Sequence, residues 1–209
     1  MRLILAAALI AGFAVPAQAV TISGLYNTGV DAGGNKLADG SAETHYLING
    51  GGSAVVYTHP AYLTAGDAKF ISAQSDGGYA VNPNNYTLTF SLAGLNASTA
   101  TISGKFAADN YASVYLNGNL IAAQPAQTIF ENFQQLTSFS ANSGFLAGLN
   151  TLRFEVTDTG PPSALLVSGL TGNALAVPEP AEWALLIGGF AFAGMAARRR
   201  RQSVRVTYA

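Results

Sequence analysis

Apolar residues recur at every second position through the middle of the chain, in short runs separated by glycine and asparagine. Leu88, Phe90 and Leu92 form one run and Val114 with Leu116 a second. Leu152, Phe154 and Val156 form a third, with Arg153, Glu155 and Thr157 alternating along it. Successive side chains of an extended backbone point to opposite faces, so this period marks half-buried strands of antiparallel sheets. Strands are expected near His45–Asn49, Ala54–Thr58, Lys69–Ala73, Tyr86–Leu92 and Thr99–Phe106, then near Ala112–Leu116, Gln127–Phe139, Thr151–Thr157 and Ala164–Leu170. Asn117-Gly118 directly after Val114-Tyr115-Leu116 is a hairpin signal, because a type I′ turn needs positive φ at both central residues. Gly148-Leu149-Asn150 marks a second turn before Thr151. Many short strands with regular turns and almost no helical period imply an all-β fold, an antiparallel β-sandwich or barrel.

Charge and cysteine content then remove whole classes of function. The 209 residues contain no Cys, which excludes a disulfide scaffold, a thiol nucleophile and any Cys-ligated metal centre. Only 10% of residues are charged, and between Val20 and Val177 nine acidic residues face four basic ones. An acidic body offers no electrostatic footprint for nucleic acid, so no nucleic-acid partner is expected.

Both ends read as addresses. Arg2, an apolar run over Leu3–Val15, Pro16 and then Ala17-Gln18-Ala19 form a secretory signal, with small residues at Ala17 and Ala19 for cleavage after Ala19 by signal peptidase. At the other end, Pro178-Glu179-Pro180-Ala181-Glu182 precedes an apolar run over Trp183–Ala197 and then Arg198, Arg199, Arg200 and Arg201. Fifteen helical residues reach about 22 Å, less than the roughly 30 Å hydrocarbon core. Snorkelling arginines and local thinning of the bilayer close that gap. Gly188, Gly189 and Gly194 are tolerated in membrane helices, and Trp183 suits the headgroup level. The positive-inside rule places the arginines in the cytoplasm, giving a single anchor with its N-terminus outside. The expected organisation is a signal peptide over 1–19, an ectodomain over 20–177, a sorting segment over 178–201 and a cytoplasmic extension over 202–209.

The order of these C-terminal features resembles the PEP-CTERM sorting signal of Gram-negative bacteria: Pro178-Glu179-Pro180, then Trp183-Ala184, a Gly-rich apolar stretch and the arginine cluster. The extension Gln202–Ala209 departs from that pattern, since such signals stop soon after the arginines. The resemblance implies an exosortase-type membrane transpeptidase as a partner, processing near the Pro-Glu-Pro triplet. It also implies export across the inner membrane, transient anchoring, and delivery to the cell surface or extracellular matrix.

A second resemblance lies in the body. Phe106-x-x-Asp109-Asn110, Val114-Tyr115-Leu116-Asn117-Gly118, Phe139-Ser140, the segment Gly148–Val156 and Pro162-Ser163-Ala164-Leu165 follow one another in order. Ala68-Lys69-Phe70-Ile71 sits where a Trp-Ile pair is usual, with Phe70 in place of the Trp. Together they resemble the galactose-binding-like jelly roll of carbohydrate-binding modules, which implies a sandwich whose loops bind sugar.

The residues themselves carry little catalytic signal. His45 and His59 are the only histidines, no Gly-x-Ser-x-Gly elbow surrounds any serine, and no spacing pairs Glu43, Glu131 and Glu155 as glycosidase carboxylates. No catalytic residue is assigned. Asp31, Asp39, Asp76 and Asp109 sit in Gly- and Asn-rich stretches that offer oxygen ligands for a structural calcium ion, although none completes a calcium-loop motif and plain turns use the same residues. Tyr46, Tyr57, Tyr62, Tyr79, Tyr86, Tyr111 and Tyr115 are the candidates for stacking on sugar, about half of them needed for the core. The expectation is an exported, non-enzymatic envelope or matrix protein associated with exopolysaccharide and biofilm. A lectin-like carbohydrate-binding module is the first alternative and a secreted hydrolase the second.

Overall fold

The computed structural model describes residues 18–79, 81–125, 132–177 and 180–201. Strands β1 (Ala19–Thr21), β2 (Ala42–Ile48), β3 (Gly52–Val56), β4 (Ile71–Ser72) and β5 (Asn84–Ser91) come first. After a short 3-10 turn at Ala97–Thr99 follow β6 (Thr101–Asp109), β7 (Tyr111–Leu116), β8 (Asn119–Ala123), β9 (Thr137–Ala141), β10 (Leu149–Thr157) and β11 (Ala164–Leu175). Every strand pair among the described residues is antiparallel. The fold is all-β, as the two-residue period implies. Residues Ala19–Ala176 form one compact unit.

The strands pair in the order β8-β7-β10-β5-β2-β3-β4-β11-β6-β9, with β1 added beside β11. This path folds over at the β2–β3 corner, where the register shifts between Ala42 and Leu47. The two halves then face each other through their apolar sides. Phe154 of β10 stands 6.0 Å from Phe106 of β6 and 5.6 Å from Phe139 of β9, centroid to centroid. Leu152, Phe154 and Val156 are fully buried while Arg153 and Glu155 between them are half-exposed, the alternation that holds one strand face in the core. Each large side chain enclosed this way contributes roughly 1.5–3 kcal/mol. Gly104 of β6 makes room for the packing, because a Cβ there would meet the Phe139 ring at 2.8 Å.

Where the sequence expectation and the fold differ, the cause is local. β8 was not expected because Asn119–Ala123 lacks alternation; Leu120 is 60% exposed, and the strand exists through its hairpin with β7. Asn117 and Gly118 in that hairpin have φ of 50° and 84°, the positive values a type I′ turn requires. Within the expected strand Gln127–Phe139, residues 127–131 lie outside the described residues, 132–135 are turn and bend, and the strand occupies Thr137–Ala141. β11 runs five residues past Leu170, to Leu175. β1 was unforeseen and straddles the expected cleavage boundary: Ala19 pairs with Leu175 and Val20 with Ala174. Ala17 lies outside the described residues.

The C-terminal segment is a helix, α1 (Pro180–Arg201), which contains Trp183 and Arg198–Arg201, while Pro178 and Glu179 lie outside the described residues. Leu186, Ile187, Phe190, Phe192 and Met195 are all exposed on it. Among the described residues no helix is long and apolar enough to cross a membrane. The expected membrane-spanning helix is therefore not borne out at this level: Glu182 and the arginines bound the apolar run on both sides, and three glycines dilute it.

Candidate functional site

Connections collect at the two ends of the sandwich. One end carries the β7–β8 hairpin, the turn before β10, the start of β1 and the C-terminal end of β11, where Ala19 pairs with Leu175. The opposite end gathers the β3–β4, β4–β5, β6–β7, β8–β9 and β10–β11 connections, and the chemistry lies there.

That end is built on an unusual stretch of strand. Phe106, Ala107 and Ala108 of β6 are buried consecutively, on both faces. The inner face meets the sandwich core, and the outer face is covered by the segment between β3 and β4, whose Tyr62, Ala65, Ala68 and Phe70 pack on Ala107, Ala164 and Leu166. Asp109 ends this strand and is buried with it, only 5% exposed. The Tyr62 hydroxyl donates to Asp109 Oδ2 at 2.7 Å. Tyr62 is the hub of a ring cluster, 4.6 Å from Phe70, 5.0 Å from His59 and 5.1 Å from Phe133 by centroids.

The β10–β11 connection supplies the facing wall. Asn110 is the single residue between β6 and β7, and its Oδ1 accepts from the Thr159 amide at 2.7 Å and the Thr159 hydroxyl at 2.9 Å. Asn132 holds the Asn110 carbonyl from the other side at 2.8 Å. Asp158 Oδ1 accepts from the Thr159 and Gly160 amides at 2.7 and 3.2 Å, whereas its buried Oδ2 has no hydrogen-bond partner among the described residues. A pocket of about 400 Å³ opens between these walls, lined by His59, Tyr62, Phe133, Asp109, Asn110 and Thr159 together with Gly160, Pro161 and Pro162.

The electrostatics follow from burial. Loss of water pushes the Asp109 carboxyl up to about 6, with the Asp158 charge pushing the same way and the Tyr62 hydrogen bond opposing both. Burial raises Asp158 as well, against the amides of Gly160 and Thr159. Burial and the neighbouring Asp109 hold the Tyr62 hydroxyl protonated far above the ordinary tyrosine range. The pocket thus joins aromatic residues to an amide, a hydroxyl and a carboxyl that gains its proton on mild acidification.

Of the four expected calcium ligands, only Asp109 belongs to this site. Asp31 closes its own turn on the amides of Gly33 and Asn35, Asp39 pairs with Lys69 at 2.6 Å, and Asp76 accepts from the Gly78 amide. No group of three or more His, Asp or Glu side chains among the described residues is placed to hold a metal ion. Tyr46 and Tyr86 are core residues, Tyr62 is buried in the ring cluster, and Tyr57, Tyr79, Tyr111 and Tyr115 are half-buried. Glu43 is enclosed, accepting from the Gly29 and His45 amides, and Glu155 lies beside Arg153, so the two do not face one another across this pocket. The roles of His59, Asp158 and Thr159 had no sequence signal of their own. The nearest hint was a carboxylate ending an apolar strand at Phe106-Ala107-Ala108-Asp109.

Fold and pocket together define the class: an all-β antiparallel sandwich with a ring- and carboxyl-lined pocket among the loops at one end. No family model matches the chain, and no curated protein matches it. Among solved structures it is similar to a Stig cyclase from Fischerella sp. TAU, with 16% identity and a TM-score of 0.45 over 77% of this chain and 100% of that one. It is also similar to a family 35 carbohydrate-binding module from an environmental isolate, with 16% identity and a TM-score of 0.33 over 65% of this chain and 100% of that one. A CBM35 from Paenibacillus barcinonensis has 16% identity and a TM-score of 0.33 over 60% of this chain and 94% of that one.

Proposed function

We propose that this chain is an exported carbohydrate-binding protein of the cell envelope or extracellular matrix, taking a saccharide unit in the pocket beside Asp109. One observation carries the reading: the aromatic residues His59 and Phe133 line one open pocket of about 400 Å³ together with Asp109, Asn110 and Thr159. Sugars present an apolar ring face and a rim of hydroxyls, and a site pairing aromatic carbon with a few placed polar groups suits both. The full chain, purified in mild detergent, is expected to bind saturably to a subset of neutral glycans on an array. His59→Ala and Asn110→Ala are expected to weaken that binding at least tenfold. Absence of saturable binding, or variants that bind as the parent does, would overturn the reading.

Delivery is part of the same proposal. The exposed apolar side chains of α1 favour a non-aqueous surrounding, and Arg198 and Arg199 close its end. In this reading α1 holds the chain at the membrane until an exosortase-type transpeptidase processes it near Pro178-Glu179-Pro180. Hydrolysis is the second reading, and it has one observation in its favour, the carboxyl of Asp109 raised to about 6 next to Asp158. Release of reducing ends from a bound glycan, lost in Asp109→Asn, would establish it over simple binding.

A further inference from the structure

Away from the pocket, the outward face of β11, β6 and β9 carries a field of hydroxyl and amide side chains. Thr101 and Ser103 lie on β6, Ser138 and Ser140 on β9, and Thr171 and Asn173 on β11, all exposed. Strand register arranges them in rows: Ser103 stands opposite both Ser140 and Thr171, Thr101 opposite Asn173, and Lys105 opposite Ser138. Two contiguous depressions of about 300 and 570 Å³ share Ser103 and Ser140 and follow the strands from Asn173 to Lys105. From Thr101 to Lys105 the rows extend about 13 Å along β6 at roughly 3.3 Å per residue.

Two further facts bear on this face. Several asparagines elsewhere are tied down: Asn27, Asn82, Asn96, Asn117 and Asn150 each bond another group. None of the six side chains in the rows has a side-chain hydrogen bond among the described residues, so their donors and acceptors face solvent. Lys105 has no ion pair or hydrogen bond among the described residues, while Lys69 pairs with Asp39, Arg153 with Glu155, and Lys36 donates to the Ala65 carbonyl. No carboxylate lines either depression, although exposed Asp67 accepts from Ser168 and Gly169 at the edge of the larger one.

We propose that this face is a second binding surface, distinct from the loop-end pocket, and that its ligand is an extended polysaccharide bearing carboxylate groups. Ranked hydroxyls and amides match the hydroxyl rim of a sugar chain, and Lys105 supplies the one cation, aligned to a carboxylate that the acidic remainder of the body would repel. A nucleic acid fits poorly, since it calls for several cations and exposed rings for base stacking. The surface is open along the strands, so a polymer can pass through it where a closed pocket takes only a single unit.

Affinity electrophoresis of the full chain in mild detergent tests this, with polygalacturonate as the probe and its carboxyl-reduced, neutral counterpart as the reference. Polygalacturonate is expected to retard the protein, with retardation falling as salt rises, and the neutral polymer to do so at least tenfold less. Lys105→Glu is expected to lose at least tenfold in affinity, and Ser103→Ala with Ser140→Ala several-fold at unchanged charge. His59→Ala, a loop-end variant, is expected to bind polygalacturonate as the parent does. Failure of His59→Ala to change neutral-glycan binding would count against the pocket reading alone. The surface is overturned if polygalacturonate does not bind, if both polymers bind equally, or if Lys105→Glu binds within twofold of the parent. Should Lys105→Glu fold poorly, Lys105→Gln with the same threshold decides.

Discussion

Asp109 shows how one residue links packing to chemistry. Its carboxyl is buried because β6 is covered on both faces at this point, and burial lifts it to about 6. Two neighbours act on it in opposite senses, which gives a signed test. Tyr62→Phe removes the hydrogen bond that favours the carboxylate and is expected to move the Asp109 titration above about 6. Asp158→Asn removes a repelling charge and is expected to move it down. Carboxyl-carbon NMR reads both shifts, and equal movement in one direction would contradict the assignment. The same group sets a stability slope. A carboxyl raised in the folded state binds its proton more tightly there than in the unfolded chain, so its burden on folding is absent below the ordinary value of 3.8 and complete above about 6. Asp109→Asn is therefore expected to match the parent in thermal stability near the lower limit and to exceed it at neutral pH, by on the order of 1–3 kcal/mol. Asp67 acts with the opposite sign. Burial opposes its ionisation, but hydrogen bonds from Ser168, Gly169 and Asn27 outweigh this and hold its carboxyl below the usual range, so its contribution fades only on strong acidification.

Among the elements, the β7–β8 hairpin depends most directly on two residues. Gly118 has φ of 84°, so Gly118→Ala is expected to cost about 1 kcal/mol and to speed hydrogen exchange in β8 before the rest of the sheet. Uniform loosening of all strands would place the strain elsewhere. β5, β7 and β10 were legible in the sequence because each has one face in the core and one outside, so that Leu88, Val114 and Phe154 repeat with the pleat. β8 and β1 were not legible because their existence is set by a partner. Leu120 faces water although β8 is paired, and the three residues of β1 are ordered by Asn173–Leu175 of β11. The start of β11 was legible at Ala164 without that alternation, because Ala164–Ser168 is buried on both faces and reads as a continuous apolar-rich run.

For the whole molecule, β11 runs from the pocket end of the sandwich to the opposite end. Ala164 begins it two residues after Pro162 of the pocket wall, and Leu175 ends it next to the start of β1, a span of roughly 36 Å at about 3.3 Å per residue. The pocket thus opens at the end of the sandwich opposite to the Ala19–Leu175 pair. The pocket was only partly legible because its members come from four connections and the end of β6. Tyr62 is 47 positions from Asp109 and 100 from Pro162, separations that no local pattern encodes. The sorting proposal has its own check in intact-mass analysis of the protein from its host. The native chain is expected to lose mass at both ends, and replacement of Arg198–Arg201 by neutral residues is expected to impair C-terminal processing. Identical masses for the two would count against sorting. The central claim concerns where sugar sits, and backbone amide NMR of the full chain during titration with its tightest-binding neutral glycan addresses it directly. Shifts are expected to centre on His59, Asn110, Thr159 and Gly160 and to leave Asn117 and Gly118 at the far end unmoved; perturbations confined to the far end, or spread evenly over both, would contradict it.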